Sequence, residues 1–281
     1  MIIANAVALP ADQIFALPPG QLSPAVAWLG AACYTLQIYF DFSGYSDMAI
    51  GLGKMFGFAF MENFDFPYVA QSVRDFWRCW HISLSSWFRD YVYIPLGGNR
   101  VSAVRNHLNL LAVFFLCGLW HGANWTFVAW GLYHGLFLVL ERTRWGGVVN
   151  QAPRPLRHAY TLLVVLFGWV LFRADSFTAA THYLAAMFGC TPVPQAQPIG
   201  RYLSHEVGWA LGLGVVFSIP LWRDLRASAV RFGQASAASF PRLVWMSLGR
   251  ITEIILILAL LLLSIAWLAG GTYNPFIYFR F

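Results

Sequence analysis

Charged residues are scarce in this sequence. Asp, Glu, Lys and Arg together make up 11% of the 281 residues, whereas an ordinary soluble domain carries about 25%. Hydrophobic residues make up 59% and aromatic residues 17%. So few charges could not cover the surface of a soluble protein of this length, and the composition therefore predicts an integral membrane protein.

Lysine is almost absent: Lys54 is the single lysine. The net charge of +6 comes from this residue and seventeen arginines against twelve acidic residues. The arginines cluster between apolar runs and form no basic face, so we expect them to report membrane topology and expect no nucleic-acid partner. The four cysteines have no CxxC spacing, so we expect neither a metal site nor a disulfide framework.

Residues 1–24 contain no Lys or Arg, which argues against a secretory signal sequence. We expect a loop with one short helix in this N-terminal segment. No internal repeat is visible, which argues against a transporter built from repeated halves.

Two apolar runs, Leu108–Leu119 and Trp125–Leu140, lie on either side of a short polar segment at the centre of the chain. Each run is shorter than the roughly 20 residues of a full membrane span. The pair predicts a membrane hairpin, or two bent spans, whose junction carries His121. An ionisable side chain in hydrocarbon needs partners or water, which makes it a candidate functional residue. The alternative is a structural histidine, but small neighbours at 122 and 123 and the amide of Asn124 favour a site.

A second polar segment, from Asp41 to Asp47, lies between the apolar runs Ala25–Phe40 and Met48–Phe60. Aspartates are costly near hydrocarbon unless they are solvated or paired, so both are candidate substrate-binding residues. The alternative is a surface loop in which Asp47 caps the next helix. Two full spans here fit poorly with the charge of the flanking segments, which favours a re-entrant segment.

Residues 62–105 are the most polar part of the chain. A continuous helix over residues 73–91 would place His81, Ser85 and Arg89 on one stripe. A second stripe would hold Phe76, Trp80, Leu84, Trp87 and Tyr91. This pattern predicts a helix at the membrane interface with aromatic anchors among the headgroups. We expect it to end before Pro95, with a turn at Gly97-Gly98-Asn99.

Most of the arginines fall in three loops, at residues 74–105, 142–157 and 223–250, and the positive-inside rule places all three in the cytoplasm. Further helices are predicted over Thr161–Phe172, 177–190, Val207–Trp222 and Ile251–Ala269, followed by an aromatic anchor at Tyr273–Phe281. The predicted fold is therefore an all-α, multi-pass integral membrane helical bundle with re-entrant and interfacial helices, covering residues 25–281.

Five motifs, in this order, resemble the membrane-bound O-acyltransferases. They are Gln37-Ile-Tyr-Phe-Asp41-Phe-Ser-Gly-Tyr-Ser-Asp47, Phe76-Trp-Arg-Cys-Trp-His81-Ile-Ser-Leu-Ser-Ser-Trp-Phe-Arg-Asp-Tyr-Val-Tyr-Ile-Pro-Leu-Gly-Gly98, Trp120-His121-Gly-Ala-Asn-Trp125, Phe172-Arg-Ala-Asp175 and Tyr273-Asn-Pro-Phe. The resemblance covers nearly the whole chain but only the C-terminal part of the family, whose usual members carry further transmembrane helices before the position of Met1. We therefore expect this chain alone to insert into a membrane without transferring acetyl groups.

The resemblance implies an O-acetyltransferase of the bacterial inner membrane. It would pass acetyl groups to periplasmic acetyltransferase subunits and so to the synthesis machinery of an alginate-like exopolysaccharide. It implies that His121 is catalytic and that His81 is the second motif histidine. No tightly bound cofactor is expected, since the acetyl donor, acetyl-CoA or an acyl carrier, is a substrate.

The implied chemistry suits imidazole, whose unperturbed pKa of about 6.5 makes it a base near neutral pH. His121 would deprotonate an acceptor hydroxyl or carry the acetyl group, while His81 and Arg89 would orient donor or product. Asn124 is a candidate oxyanion donor. His134 is interpreted as a packing residue.

Two alternatives stay open at this point. One is acylation of another envelope polymer, through peptidoglycan O-acetylation or teichoic acid D-alanylation. The other is a non-enzymatic polysaccharide export or scaffold subunit. The polar residues concentrate at two histidine motifs and not along several helix faces, which favours an enzyme over a conduction protein.

Overall fold

The computed structural model describes residues 2–221, 223–224 and 240–270. Within these ranges the chain is helical and contains no β-strand. The α-helices are α1 (Ile2–Phe15), α2 (Pro24–Met55), α3 (Val73–Cys79), α4 (Ile82–Phe88), α5 (Ala103–Trp120), α6 (Trp125–Leu140), α7 (Arg144–Gln151), α8 (Arg154–Arg173), α9 (Phe177–Met187), α10 (His205–Phe217) and α11 (Phe240–Ala269). A π-helical turn, Arg89–Tyr93, follows α4, and 3-10 turns lie at Pro19–Gln21, Pro67–Val69 and Ile199–Arg201.

The first 24 residues contain one 14-residue helix, α1, which packs along α2. Its inner face is fully buried: Val7, Ala8, Ala11 and Ile14 are each 0% exposed. Burying a face of this kind stabilises helix contact through close packing, the main source of helix association in lipid. The N-terminal segment therefore belongs to the core of the described bundle.

One long helix, α2, contains the apolar run Ala25–Phe40 and the second run as far as Met55, so the surface loop considered as the alternative at residues 41–47 does not form. Residues 41–47 continue the helix because they contain no proline and only one glycine, so nothing interrupts the i→i−4 hydrogen bonds. Asp47 caps no helix. At 1.5 Å per residue both aspartates lie about 25–35 Å from the start of α2, roughly one hydrocarbon thickness.

The helix predicted over residues 73–91 is broken at His81, which has φ 45° and ψ 55°. The backbone N–H of Ile82 donates to the carbonyl of Asn63 at 2.9 Å, and the N–H of Ser83 donates to the Asn63 side chain at 3.1 Å. The backbone N–H groups of Ile82 and Ser83 thus bond to Asn63, outside the segment, and not to carbonyls one helical turn earlier. His81 therefore lies outside the helix that contains Ser85, so the predicted stripe over one continuous helix is wrong.

The short helix α3 points inward and not along the membrane interface. Phe76 is 0% exposed and Trp80 4%, so neither is the headgroup anchor that was predicted, whereas Trp87 and Tyr91 are exposed. Glu141, at the end of α6, accepts from the first two N–H groups of α3 at 2.7 and 3.0 Å. A carboxylate at a helix N-terminus satisfies orphan donors and the helix dipole, so it anchors α3 to the central hairpin.

The polar region ends as predicted. The π-helical turn finishes before Pro95, and Gly97 and Gly98 adopt φ values of 107° and 52°, which glycine accepts without strain. The buried side chain of Asn106 holds this turn by donating to the carbonyl of Gly98 at 2.8 Å.

The two central apolar runs form a helical hairpin, α5 and α6, joined by a turn over residues 121–124. The two helices approach closely where glycines remove the side chain. A Cβ at Gly118 would lie 2.5 Å from the carbonyl oxygen of Phe127, and one at Gly131 would collide with the carbonyl oxygen of Phe114. His134 is 0% exposed between the rings of Trp77 and Trp130, as the packing interpretation predicts.

Two described helices, α5 and α8, are long and apolar enough to cross a membrane. Shorter apolar stretches are Ile2–Phe15, Trp125–Leu140, His205–Phe217 and Ile251–Ala266. The helices predicted at 161–172, 177–190, 207–222 and 251–269 correspond to α8, α9, α10 and the apolar part of α11. The predicted basic loop at 223–250 falls mostly outside the described residues, but its end, from Phe240, is helical; the terminal anchor at 273–281 lies outside them.

Candidate acyl-transfer site

The hairpin turn holds His121 in one defined protonation pattern. Its Nδ1 lies 2.7 Å from the carbonyl oxygen of Cys117, one turn earlier in α5. A carbonyl oxygen only accepts, so Nδ1 must carry the proton and the neutral ring keeps its lone pair on Nε2. Nε2 has no hydrogen-bond partner among the described residues and is not sealed from the surface. The ring is therefore set up as a hydrogen-bond acceptor or base.

Aromatic rings fix the orientation of His121. The rings of Trp120, Trp130 and Phe172 contact it edge-on at centroid distances of 4.9, 4.9 and 5.3 Å. These contacts come from α5, α6 and α8, which meet at this point. Packing on three sides restricts the imidazole to one approach direction, which a catalytic base requires.

His121 lines an open cavity of about 850 Å³. Gly122 and Ala123 also line it, and Gly122 has φ 148°, a conformation that only glycine adopts readily. The small residues thus serve both the turn and the space beside the imidazole, as the sequence suggests. A volume of this size accommodates a small substrate or the end of a larger one.

The far wall of the cavity carries an ion pair that sequence reasoning missed. Arg173 Nη2 lies 2.7 Å from Asp12 Oδ1, and the two side chains are only 20% and 16% exposed. Arg173 also lies 3.9 Å from Asp175, whose side chain is 98% exposed, and over the ring of Phe15 at 5.5 Å. The Arg173-Ala-Asp175 motif was visible in the sequence, but its partner on α1 was not.

Gln37 is a second lining residue to which the sequence assigned no role. It is 3% exposed, and its Oε1 is buried without a hydrogen-bond partner among the described residues. A buried amide atom without a partner is costly, which makes it a natural contact for a polar group in the cavity.

Asn124 lies at the cavity but its amide is already engaged. Its Oδ1 accepts from the N–H of Thr126 at 3.1 Å, which caps α6, and its Nδ2 donates to the carbonyl of Asp175 at 3.1 Å. These bonds join the hairpin turn to the segment after α8. The predicted oxyanion role would have to use the remaining N–H of the same group.

His81 and His121 are linked by the ring of Trp120. The Trp120 ring contacts the His81 ring at 6.0 Å and the His121 ring at 4.9 Å. His81 is 8% exposed, and burial, with a smaller effect of His121, lowers its pKa to about 3. His81 is therefore neutral at pH 7. The structure thus brings the two motif histidines into contact with the same tryptophan ring.

The other predicted substrate-binding residues are not in this cavity. Arg89 is exposed, pairs with Asp90 at 2.7 Å, and lines a second cavity of about 440 Å³. The hydrogen bond from Arg89 holds the pKa of Asp90 below its usual value. Asp41 lies one helical turn beyond Gln37, and Asp47 is an exposed residue two turns further.

The comparison with known proteins agrees with these features. Residues 18–180 match the model of the MBOAT, membrane-bound O-acyltransferase family. The chain is 43% identical to the probable alginate O-acetylase AlgI of Pseudomonas putida, in a match that covers all of this chain and 58% of that protein. The corresponding protein of Azotobacter vinelandii is 42% identical, with 100% and 59% covered.

A third relative is the peptidoglycan O-acetyltransferase of Helicobacter pylori. It is 43% identical over 61% of this chain and 33% of that protein. The chain therefore spans a little under three fifths of the length of the first two relatives. With a family match over more than half of its residues, the chain belongs to the membrane-bound O-acyltransferase family and is a membrane protein.

Proposed function

We propose that this chain carries the transfer site of a membrane O-acetyltransferase that passes acetyl groups, through periplasmic acetyltransferase subunits, to an alginate-like exopolysaccharide of the bacterial cell envelope. The observation that carries the proposal is the state of His121: its Nδ1–H is held by Cys117, and its free Nε2 lies at an open cavity. Full-length identity to probable alginate O-acetylases supports the acceptor class.

In the proposed reaction, an acceptor hydroxyl enters the cavity and donates to Nε2 of His121. The imidazole takes the proton as the hydroxyl oxygen attacks the carbonyl carbon of an acetyl thioester. The new C–O ester bond forms, the C–S bond breaks, and the proton passes from the imidazolium to the departing thiolate. His121 returns to its neutral form, so the step needs no further reactant.

The second cavity is the proposed place for the donor. Its floor is formed by apolar residues of α5 and by Cys117, whose carbonyl holds His121. Arg74 and Arg78, one turn apart on α3, lie at its edge together with Arg89 and Arg142. A cavity lined by apolar residues together with several guanidinium groups suits a thioester on a phosphate-bearing carrier, such as acetyl-CoA or an acyl carrier. With the basic loops in the cytoplasm of an inner-membrane protein, the donor would enter from that side.

Another envelope polymer is the alternative acceptor. Relatives named peptidoglycan O-acetyltransferase and teichoic acid D-alanyltransferase match 61% and 38–50% of the chain, whereas the probable alginate O-acetylases in the comparison match up to all of it. The extent of the match therefore favours the alginate-like acceptor.

The test replaces His121 by Gln and measures the acetyl content of the secreted polymer. The wild-type chain, expressed with and without the N-terminal part of the Pseudomonas putida relative, sets the baseline. We expect His121→Gln to lower acetylation at least about 100-fold, the usual contribution of a general base, with unchanged membrane insertion. His205→Gln, at an exposed position of α10, is the matched control. Near-normal acetylation by His121→Gln would refute the proposal.

A further inference from the structure

Asn63 is the centre of a hydrogen-bond network around His81. Its Oδ1 lies 3.2 Å from His81 Nδ1 and accepts from the N–H and the hydroxyl of Ser83 at 3.1 and 2.9 Å. Its Nδ2 donates to the hydroxyl of Ser46 on α2 at 3.0 Å. The amide orientation follows from these contacts, because the N–H of Ser83 can only donate and so requires an oxygen opposite it.

This orientation fixes the tautomer of His81. Since Asn63 Oδ1 can only accept, the hydrogen on the His81 ring must be on Nδ1, and the lone pair is on Nε2. Nε2 is buried and has no partner among the described residues. His81 therefore has the same tautomer as His121, with an Nδ1–H bonded to a fixed oxygen, but its Nε2 is buried whereas His121 lines the open cavity.

The backbone of His81 adopts a left-handed conformation, with φ 45°, which costs conformational free energy. A left-handed conformation is unfavourable for a residue with a side chain, and such residues concentrate at functional sites. Backbone bonds already join the two segments, from Ile82 N–H to the Asn63 carbonyl at 2.9 Å and from Asp65 N–H to the Cys79 carbonyl at 3.0 Å. The side chain of Asn63 adds a bond from the N–H of Ser83 to this turn, and the same Oδ1 contacts the imidazole.

We propose that Asn63 is a positioning residue of the acyl-transfer site, which holds Nδ1 of His81 protonated and so keeps the lone pair of the ring on Nε2. The proposal rests on the proposed function, since it assigns a role to the second motif histidine. Asn63 acts only through His81 and contacts neither donor nor acceptor.

The surroundings of His81 make this role testable by pH. Within the described chain, His121 is the one titratable group that shifts the pKa of His81. It lowers that pKa, as burial does. The other groups in contact are uncharged: Phe42 from α2 at 4.6 Å, Trp120 from α5, and Ser83 beside it. A carboxylate in place of the Asn63 amide would still accept from Nδ1 but would favour the imidazolium, which raises the pKa of His81.

The experiment measures transfer of labelled acetyl groups from acetyl-CoA between pH 5 and 8, for the wild type, Asn63→Asp and Asn63→Leu. Each is expressed in membranes together with the N-terminal part of the Pseudomonas putida relative. Leu has a similar size but no acceptor, so we expect a loss of about 10–100-fold at all pH values, as when the fixed partner of a functional histidine is removed. Asn63→Asp should keep most of the wild-type rate at pH 8. Its rate relative to the wild type should be about twofold or more lower at pH 5 than at pH 8, because His81 becomes protonated at the lower pH. Protein yield and elution from a sizing column in detergent report folding.

Asn99→Asp is the matched control. Asn99 Oδ1 also accepts from two donors, Tyr93 and Asn106, but at an exposed turn away from both histidines, so its pH profile should equal the wild type. A wild-type rate for Asn63→Leu, or a wild-type pH profile for a folded Asn63→Asp, would overturn the positioning role. If His121→Gln abolishes transfer while Asn63→Leu does not, only this inference fails. If His121→Gln transfers normally, the proposed function fails first.

Discussion

Removing Arg173 should destabilise the fold through the aspartate that it leaves behind. Arg173 and Asp12 join α8 to α1 at a 2.7 Å contact with 20% and 16% of the side chains exposed. Loss of one partner from a buried pair costs about 3–5 kcal/mol, whereas an exposed pair contributes about 0–1 kcal/mol. Because this pair retains some solvent access, we expect about 2–4 kcal/mol for Arg173→Met, discounted from the buried range.

The double variant Asp12→Asn with Arg173→Met distinguishes charge from packing. It removes both charges, so the penalty of burying the Asp12 charge without the Arg173 guanidinium disappears and most of the lost stability should return. What remains missing is the contact of the guanidinium with Phe15, worth about 0.5–2 kcal/mol in a partly desolvated site. A double variant less stable than Arg173→Met would contradict this reasoning.

The assay is thermal unfolding in one detergent, followed by intrinsic tryptophan fluorescence. For a chain of this size 1 kcal/mol corresponds to about 2–4 °C, so Arg173→Met should lower Tm by roughly 4–16 °C. Arg223→Met is the matched control, because Arg223 pairs with Asp65 at 2.8 Å and lies over the ring of Phe66, but the paired side chains are 59% and 53% exposed. We expect it to lower Tm by no more than about 4 °C. Equal losses for the two arginine variants would refute the argument that burial decides the effect.

Two further predictions concern packing and topology. Gly131→Ala should destabilise the protein by about 1–3 kcal/mol, because its Cβ would collide with the carbonyl oxygen of Phe114. Gly147→Ala is the control: its Cβ meets nothing within 4 Å, so it should be neutral or stabilise by up to about 1 kcal/mol. Unfolding in detergent measures both variants, and equal effects would contradict the packing argument. With native cysteines replaced, Arg154→Cys should resist an impermeant thiol reagent added from the periplasm, while Asp175→Cys, beyond the other end of α8, should react. Efficient labelling at Arg154→Cys would reverse the proposed orientation.

Local patterns predicted the parts of the fold that depend on nearby residues. The central hairpin follows from two apolar runs around Trp120–Asn124, and the turn at Gly97-Gly98 follows from residues that accept positive φ. Polar composition misled the prediction at residues 41–47. A helix needs only unbroken backbone hydrogen bonds, and its side chains can be polar when they reach the membrane surface.

The break at His81 could not be read from the sequence, because the residues that cause it are distant. The periodicity of residues 73–91 is that of one helix, but Asn63, 18 and 20 residues earlier, offers competing acceptors to His81 and Ser83. The sequence pattern alone gives no reason to place Asn63 beside this segment. Phe76 and Trp80, two residues of an aromatic stripe that would suit an interface, therefore lie in the core.

The sequence alone determined that the protein belongs in a membrane, that it is helical, and that His121 is the residue to examine. Each conclusion rests on composition, local periodicity or a short motif, and these can be read from a segment without knowing which other segments it contacts. Only the tertiary structure decided what surrounds that histidine. The pair of Asp12 and Arg173 spans 161 residues, and the contact between Asn124 and Asp175 spans 51. Such contacts depend on how the helices pack, because the free energy that selects them comes from burial and charge pairing between distant segments.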